Sequence, residues 1–87
     1  MKKLNIVKLG YTIQNLLLKK NLVDAKPKDL MHELIDKGYF NNDQKGGLSL
    51  RNVLRELDDS NLLYLLPQVR VERKDKNRYW FFNAVEI

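Results

Sequence analysis

Hydrophobic residues recur at helical spacing in three parts of the chain. They occupy positions 6, 9, 13, 16 and 17 in the first part and positions 30, 31, 34 and 35 in the second. Positions 50, 53, 54 and 57 repeat the spacing in a third part. Because side chains three and four residues apart share one face of an α-helix, this pattern predicts three amphipathic helices.

The sequence marks the ends of the second and third helices more clearly than the start of the first. A glycine weakens the middle of the first helix, so its start is open: one alternative begins it only near Tyr11, with residues 4–7 extended. Pro27 suits the first position of the second helix, and Gly38 suits its C-terminal stop. Ser49 is the expected N-cap of the third helix, which ends near Asp59.

After the third helix the spacing of hydrophobic residues changes from helical to alternating. Residues 68–73 alternate apolar and polar side chains, as a half-buried β-strand does, and residues 78–82 are rich in strand-favouring aromatic side chains. Residues 74–77 between them contain Asp and Asn, which suit a tight connection. The pattern predicts a β-hairpin with a charged tip, and alternation turns at least two of the aromatic side chains inward.

The order of these elements predicts the fold class. Three helices followed by a β-hairpin wing form an α+β domain, a small winged helix-turn-helix. A chain of 87 residues has room for one such domain, so we expect residues 1–87 to form a single unit. The expected core contains Ile13, Leu34, Val53, Leu54 and Leu57, closed by Trp80 or its neighbours Tyr79 and Phe81.

Two stretches resemble winged-helix families. Residues 50–63 (LRNVLRELDDSNLL), followed by a strand, a basic turn and the aromatic strand RYWF, are similar to the recognition helix and wing of bacterial winged-helix regulators. Residues 26–40 (KPKDLMHELIDKGYF) resemble the second helix of the HARE-HTH winged-helix group. The resemblance implies a winged helix-turn-helix fold, which most often binds double-stranded DNA.

The chain departs from the usual pattern of these regulators in three places. The connection from Gly38 to Ser49 is longer than the roughly three or four residues of a standard helix-turn-helix. It forms either an extra turn of helix or a flexible loop that presents Lys45. Asn61 stands where a glycine is usual, and residues 62–67 add an apolar stretch before the hairpin.

Basic residues are concentrated in two segments of a chain whose net charge is +5. Residues 1–20 carry five lysines and no acidic residue, and residues 70–78 carry five basic residues against two acidic ones. Clustered positive charge is typical of proteins that bind polyanions, although lysines also serve simply to keep a small domain soluble.

If the partner is DNA, the third helix enters the major groove and the hairpin lies along phosphates or the minor groove. Arginine pairs with guanine there, and asparagine with adenine. The candidate DNA contacts are Lys45, Ser49, Arg51, Asn52, Arg55, Arg73, Lys74, Lys76 and Arg78. Acidic residues in the third helix oppose this placement, and an ion pair of Arg55 with Asp58 or Asp59 is the structural alternative.

The aromatic and apolar segments suggest other binding functions. Residues 79–82 are an alternative stacking surface for single-stranded bases. The apolar run 62–66 and the C-terminal tail 84–87 suit a winged-helix module that binds a protein partner or dimerises without binding DNA. We expect weak homodimerisation, through the first helix or the C-terminal tail.

Sequence motifs for catalysis are absent. The chain has no cysteine and a single histidine, His32, and it contains no glycine-rich phosphate loop or nucleophile motif. We therefore expect no enzyme activity, no cofactor, no bound metal and no small-molecule substrate. No apolar run approaches the roughly 20 residues of a membrane span, and the first residues lack the features of a signal sequence, so the expected location is the cytoplasm.

Overall fold

The computed structural model describes residues 5–41 and 46–85, which form three α-helices and an antiparallel β-hairpin. The elements follow in the order α1 (Ile6–Lys19), α2 (Pro27–Asp36), α3 (Leu48–Asp59), a 3₁₀ turn (Leu63–Leu65), β1 (Val69–Lys74) and β2 (Asn77–Phe82). This order confirms the α+β class, with three helices followed by a hairpin, and the layout is consistent with a winged helix.

The first helix starts at Ile6, so the alternative start near Tyr11 is wrong. The side chain of Asn5 caps it by accepting a hydrogen bond from the backbone N–H of Lys8 at 3.1 Å. Gly10 does not interrupt the helix; a Cβ there would lie only 3.2 Å from Cδ2 of Leu66. The glycine thus allows the segment after the 3₁₀ turn to pack closely against α1.

A residue with a left-handed backbone lies two positions after the last residue of each of the three described helices. These residues are Asn21 (φ 52°), Gly38 (φ 84°) and Asn61 (φ 59°). The residue after each of them donates its backbone N–H to the carbonyl of the third residue from the end of the helix. Leu22 donates to Leu17, Tyr39 to Leu34, and Leu62 to Leu57. Asparagine adopts this conformation more readily than other residues with a Cβ, which explains why Asn61 can replace the usual glycine.

Asn61→Ala is expected to lower the free energy of unfolding by about 1 kcal/mol, because an alanine Cβ strains the left-handed backbone. Asn61→Gly is expected to preserve stability, because glycine has no Cβ. Urea denaturation followed by circular dichroism measures both changes. Ser60→Ala, one residue earlier at a φ of −94°, is the control. An equal loss in the control would show that backbone strain is not the cause.

The core lies between the three helices and the inner face of the hairpin. Its buried hydrophobic side chains are Leu9, Ile13, Leu16, Leu17, Ala25, Leu30, Met31, Leu34, Leu50, Leu54, Leu57, Leu66, Trp80 and Phe82. This set confirms the expected core with two corrections. Val53 is only half-buried, and Tyr79 is 45% exposed. The second correction follows from strand alternation, because Trp80 and Phe82 take the inward positions of β2.

The hairpin is joined to the segment before α2 by a backbone bridge. The strands β1 and β2 pair from Val69 with Phe82 at the open end to Lys74 with Asn77 at the turn. On its other side Phe82 exchanges two backbone hydrogen bonds with Ala25, of 2.7 and 2.9 Å. Because this pairing is antiparallel, the residues that follow Ala25 run back along the outer edge of β2.

The segment that follows β2 packs against α1. The buried side chain of Gln14 donates from Nε2 to the carbonyl of Val85 at 2.7 Å and accepts from the N–H of Val85 at 3.0 Å. The Nε2 of Gln68 donates to the same Gln14 oxygen at 3.3 Å. Part of the tail expected to meet a partner is therefore engaged within the domain, while positions 86 and 87 lie outside the described residues.

Candidate nucleic-acid interface

A cleft of about 480 Å³ lies between the start of α2, the first half of α3 and the outer part of β2. The described residues that line it are Lys26, Pro27, Lys28, Gly46, Arg51, Arg55, Asn77, Arg78, Tyr79, Trp80 and Phe81. We call this cleft, with these lining residues, the basic cleft. Five of the lining residues are lysine or arginine, and none of those described is acidic.

Gly47 sets the distance between α2 and α3 at this cleft. It is the N-cap of α3 at a φ of 89°, and a Cβ there would lie 2.7 Å from the backbone nitrogen of Lys28 and 2.9 Å from the carbonyl carbon of Pro27. Only glycine fits this contact, so the expected N-cap at Ser49 is wrong, and Ser49 lies within the first turn of α3. The close contact brings the first turns of the two helices together.

The predicted contacts on α3 divide between the cleft and the neighbouring surface. Arg51 and Arg55 stand one helical turn apart and both line the basic cleft, where Arg51 is half-buried and Arg55 exposed. Asn52 is exposed and Ser49 half-buried, and neither lines the cleft. The predicted contact Lys45 lies outside the described residues.

Two of the three arginines of the hairpin reach the C-terminal end of α3. Arg73 and Arg78 are cross-strand partners. Asp58 accepts hydrogen bonds from Nη2 of Arg73 at 2.7 Å and from Nη1 of Arg78 at 3.1 Å, and a carboxylate oxygen of Asp59 lies 3.0 Å from the same Arg78 nitrogen. The alternative pairing of Arg55 with these acids is therefore wrong, because the described ion pairs of both aspartates go to the hairpin.

These ion pairs change the charge that α3 and the hairpin present. The hydrogen bond from Arg73 lowers the pKa of Asp58 below its ordinary value, and burial only partly opposes this effect. The same bond raises the pKa of Arg73. The negative end of α3 is thus compensated by the hairpin. At the hairpin tip Lys74 and Lys76 are exposed, and no ion pair within residues 5–41 and 46–85 includes either.

Two lysines of the basic cleft, Lys26 and Lys28, are not among the contacts that the sequence pattern predicts. They flank Pro27 at the start of α2, where helix N–H groups favour anions, and both are exposed. The Lys-Pro-Lys triplet is a weak local indication of such a site. Its position beside β2 depends on the bridge between Ala25 and Phe82.

Comparison with known protein families, curated proteins and solved structures gives no match. Within the part of the chain that the structure describes, no helix combines the length and hydrophobicity needed to cross a membrane. In the same part, no group of three or more His, Cys, Asp or Glu side chains is placed to hold a metal ion.

Proposed function

We propose that this protein is a winged helix-turn-helix domain that binds double-stranded DNA through the basic cleft and the hairpin tip. The observation that carries the proposal is the convergence of five basic side chains from three elements, with no acidic residue among the described lining residues. Concentrated positive charge in a cleft attracts the phosphate backbone and supplies most of the sequence-independent affinity for DNA.

The acidic end of α3 is compatible with this function. Asp58 and Asp59 are occupied by Arg73 and Arg78, so their charge is balanced within the domain. Arg73 and Arg78 therefore attract a phosphate less strongly than unpaired arginines would. We assign the phosphate contacts to Lys26, Lys28, Lys74 and Lys76. We assign the contacts to base edges to Arg51 and Arg55 of the basic cleft and to Asn52 on the exposed surface of α3 beside it.

Replacing both Lys26 and Lys28 with alanine is expected to reduce the slope of log affinity against log salt by about 1.8, since each lost phosphate contact accounts for roughly 0.9. Replacing both Lys74 and Lys76 is expected to have the same effect. The weakening should be similar on every duplex sequence, because phosphates carry no sequence information. Fluorescence anisotropy with two labelled duplexes of different sequence, over a series of salt concentrations, measures the slope.

The double variant Lys19→Ala with Lys37→Ala is the matched control. It removes the same charge from a separate surface cleft between α1 and α2, so its salt slope should stay near that of the wild type. An equal reduction in the control would show that net charge alone drives binding. Absence of salt-dependent binding by the wild-type protein would make the proposal wrong.

A second candidate function is protein docking, including weak homodimerisation, through the outer face of α1. Val7, Tyr11 and Leu18 are 55%, 67% and 55% exposed, and their spacing of four and seven residues places them on one face of the helix. Tyr64 of the 3₁₀ turn is 71% exposed. If the wild-type protein shows no DNA binding in the anisotropy experiment but is dimeric by light scattering, the result would favour this second function.

A further inference from the structure

We infer that the basic cleft holds an unpaired nucleotide of the bound DNA, with its base stacked on Tyr79 and its phosphates beside Lys26 and Lys28. The inference rests on the proposed function. It narrows the ligand from duplex DNA in general to a duplex that continues into a single strand.

The shape of the cleft favours a base that has left the helical stack. Its volume of about 480 Å³ lies within the range of roughly 300–1,000 Å³ found for sites that enclose a small organic molecule. Duplex DNA offers a protein its phosphates and the edges of its bases, while the faces of the bases are covered by stacking. A concave site with an aromatic wall is therefore matched by an unpaired base.

Tyr79 supplies the accessible ring of that wall. It occupies an outward position on β2, with 45% of its surface exposed, and it lines the cleft. Phe81, two residues further along the same face, is already covered: the guanidinium carbon of Arg70 lies 5.1 Å from the centre of its ring. Asp24 holds that guanidinium at 3.3 Å. Among the described aromatic residues of the cleft, Tyr79 is the one most open to a ligand.

Trp80 forms a buried part of the cleft lining. It lines the cleft and is only 3% exposed, and its buried Nε1 has no hydrogen-bond partner among the described residues. A buried donor without a partner is unfavourable and uncommon in folded proteins. Because this N–H has almost no accessible surface, a ligand in the cleft can accept from it only if neighbouring side chains move.

The α2 side of the cleft supplies the charge for the phosphates. The bridge between Ala25 and Phe82 directs Lys26 and Lys28 back along β2, towards Trp80 and Tyr79. Both lysines are exposed, and no ion pair of the described chain involves them. A basic wall beside an aromatic ring is the usual combination for holding single-stranded nucleic acid.

The test compares a blunt duplex with the same duplex carrying a short single-stranded extension at either its 3′ or its 5′ end. We expect one of the extended duplexes to bind about 5- to 100-fold more tightly than the blunt one, because a stacked base adds that much affinity. Fluorescence anisotropy measures the affinities. Trp80 is the single tryptophan of the chain, so quenching of its fluorescence by the extended duplex reports occupation of the cleft.

Substitutions at Tyr79 separate stacking from charge. Tyr79→Ala is expected to bind the blunt and extended duplexes with similar affinity, whereas Tyr79→Phe keeps the ring and should keep the preference. Tyr64→Ala, which removes an exposed ring outside the cleft, should also keep it. Circular dichroism checks that each variant is folded.

Two results would overturn this inference while leaving the proposed function intact. One is equal affinity of the wild-type protein for blunt and extended duplexes, together with normal salt dependence. The other is a preference for the extended duplex that survives in Tyr79→Ala. If no DNA binds in any form, both the proposed function and the inference are wrong.

Discussion

Leu54→Ala is expected to lower the free energy of unfolding by about 2–5 kcal/mol. Leu54 lies on α3 and is fully buried, within the cluster that also contains Trp80 and Phe82. Its truncation removes apolar contacts and leaves a cavity that the surrounding side chains fill only in part. The loss is a large share of the roughly 5–15 kcal/mol that stabilises a natural protein. Urea denaturation of the wild-type protein and of the Leu54→Ala variant measures this loss of stability.

Val23→Ala is the matched control for this prediction. Val23 is also apolar but 79% exposed, so its truncation should change stability by no more than about 0.5 kcal/mol. If Leu54→Ala were as stable as the wild type, Leu54 would not be part of the core. The orientation of α3, and with it the placement of Arg51 and Arg55 in the basic cleft, would then be wrong.

Asp58→Asn is expected to destabilise the protein at neutral pH by about 1–2 kcal/mol. Its carboxylate accepts hydrogen bonds from both Arg73 and Arg78, and its side chain is only 12% exposed. Hydrogen bonds to charged groups contribute about 1.5–3 kcal/mol. We expect a smaller loss of stability for Asp58→Asn because the side chain of Arg73 is 58% exposed, and solvent screens its interaction with the carboxylate.

The same substitution should reduce the sensitivity of the protein to acid. The pKa of Asp58 in the folded protein lies below its ordinary value of about 4. Its contribution to stability is therefore complete above that pH and is lost as the pH falls through the lower, folded-state pKa. Glu33 adds to the loss in acid, because its hydrogen bond from Lys20 also lowers its pKa. The Glu33 contribution remains in the variant, so its acid sensitivity should fall only in part.

Thermal denaturation at neutral pH and near pH 3 tests both statements about Asp58. Asp59→Asn is the matched control, since Asp59 is 64% exposed and pairs only with Arg78 among the described residues. It should change the pH profile less than Asp58→Asn does. A profile of Asp58→Asn identical to that of the wild type would show that this carboxylate does not hold the hairpin against α3.

Most of the secondary structure followed from local patterns in the sequence. The spacing of apolar residues predicted the three helices and the hairpin, and Pro27 and Gly38 correctly marked the ends of α2. These features depend on backbone preferences and on short-range periodicity, which act over only a few residues. The N-cap of α3 was missed because Gly47 is required by its contact with Pro27 and Lys28, which lie far away in the sequence.

The arrangement of charges was decided by the tertiary structure alone. Sequence spacing placed Arg55 within reach of Asp58 along the helix, but packing of the hairpin against α3 brought Arg73 and Arg78 to that carboxylate. In the same way, Lys26 and Lys28 lie near the arginines of α3 because Gly47 packs against Pro27 and Lys28, and they lie beside β2 because Ala25 pairs with Phe82. Ion pairs and clefts depend on distances between elements remote in the chain, and the local pattern of a single sequence does not encode those distances.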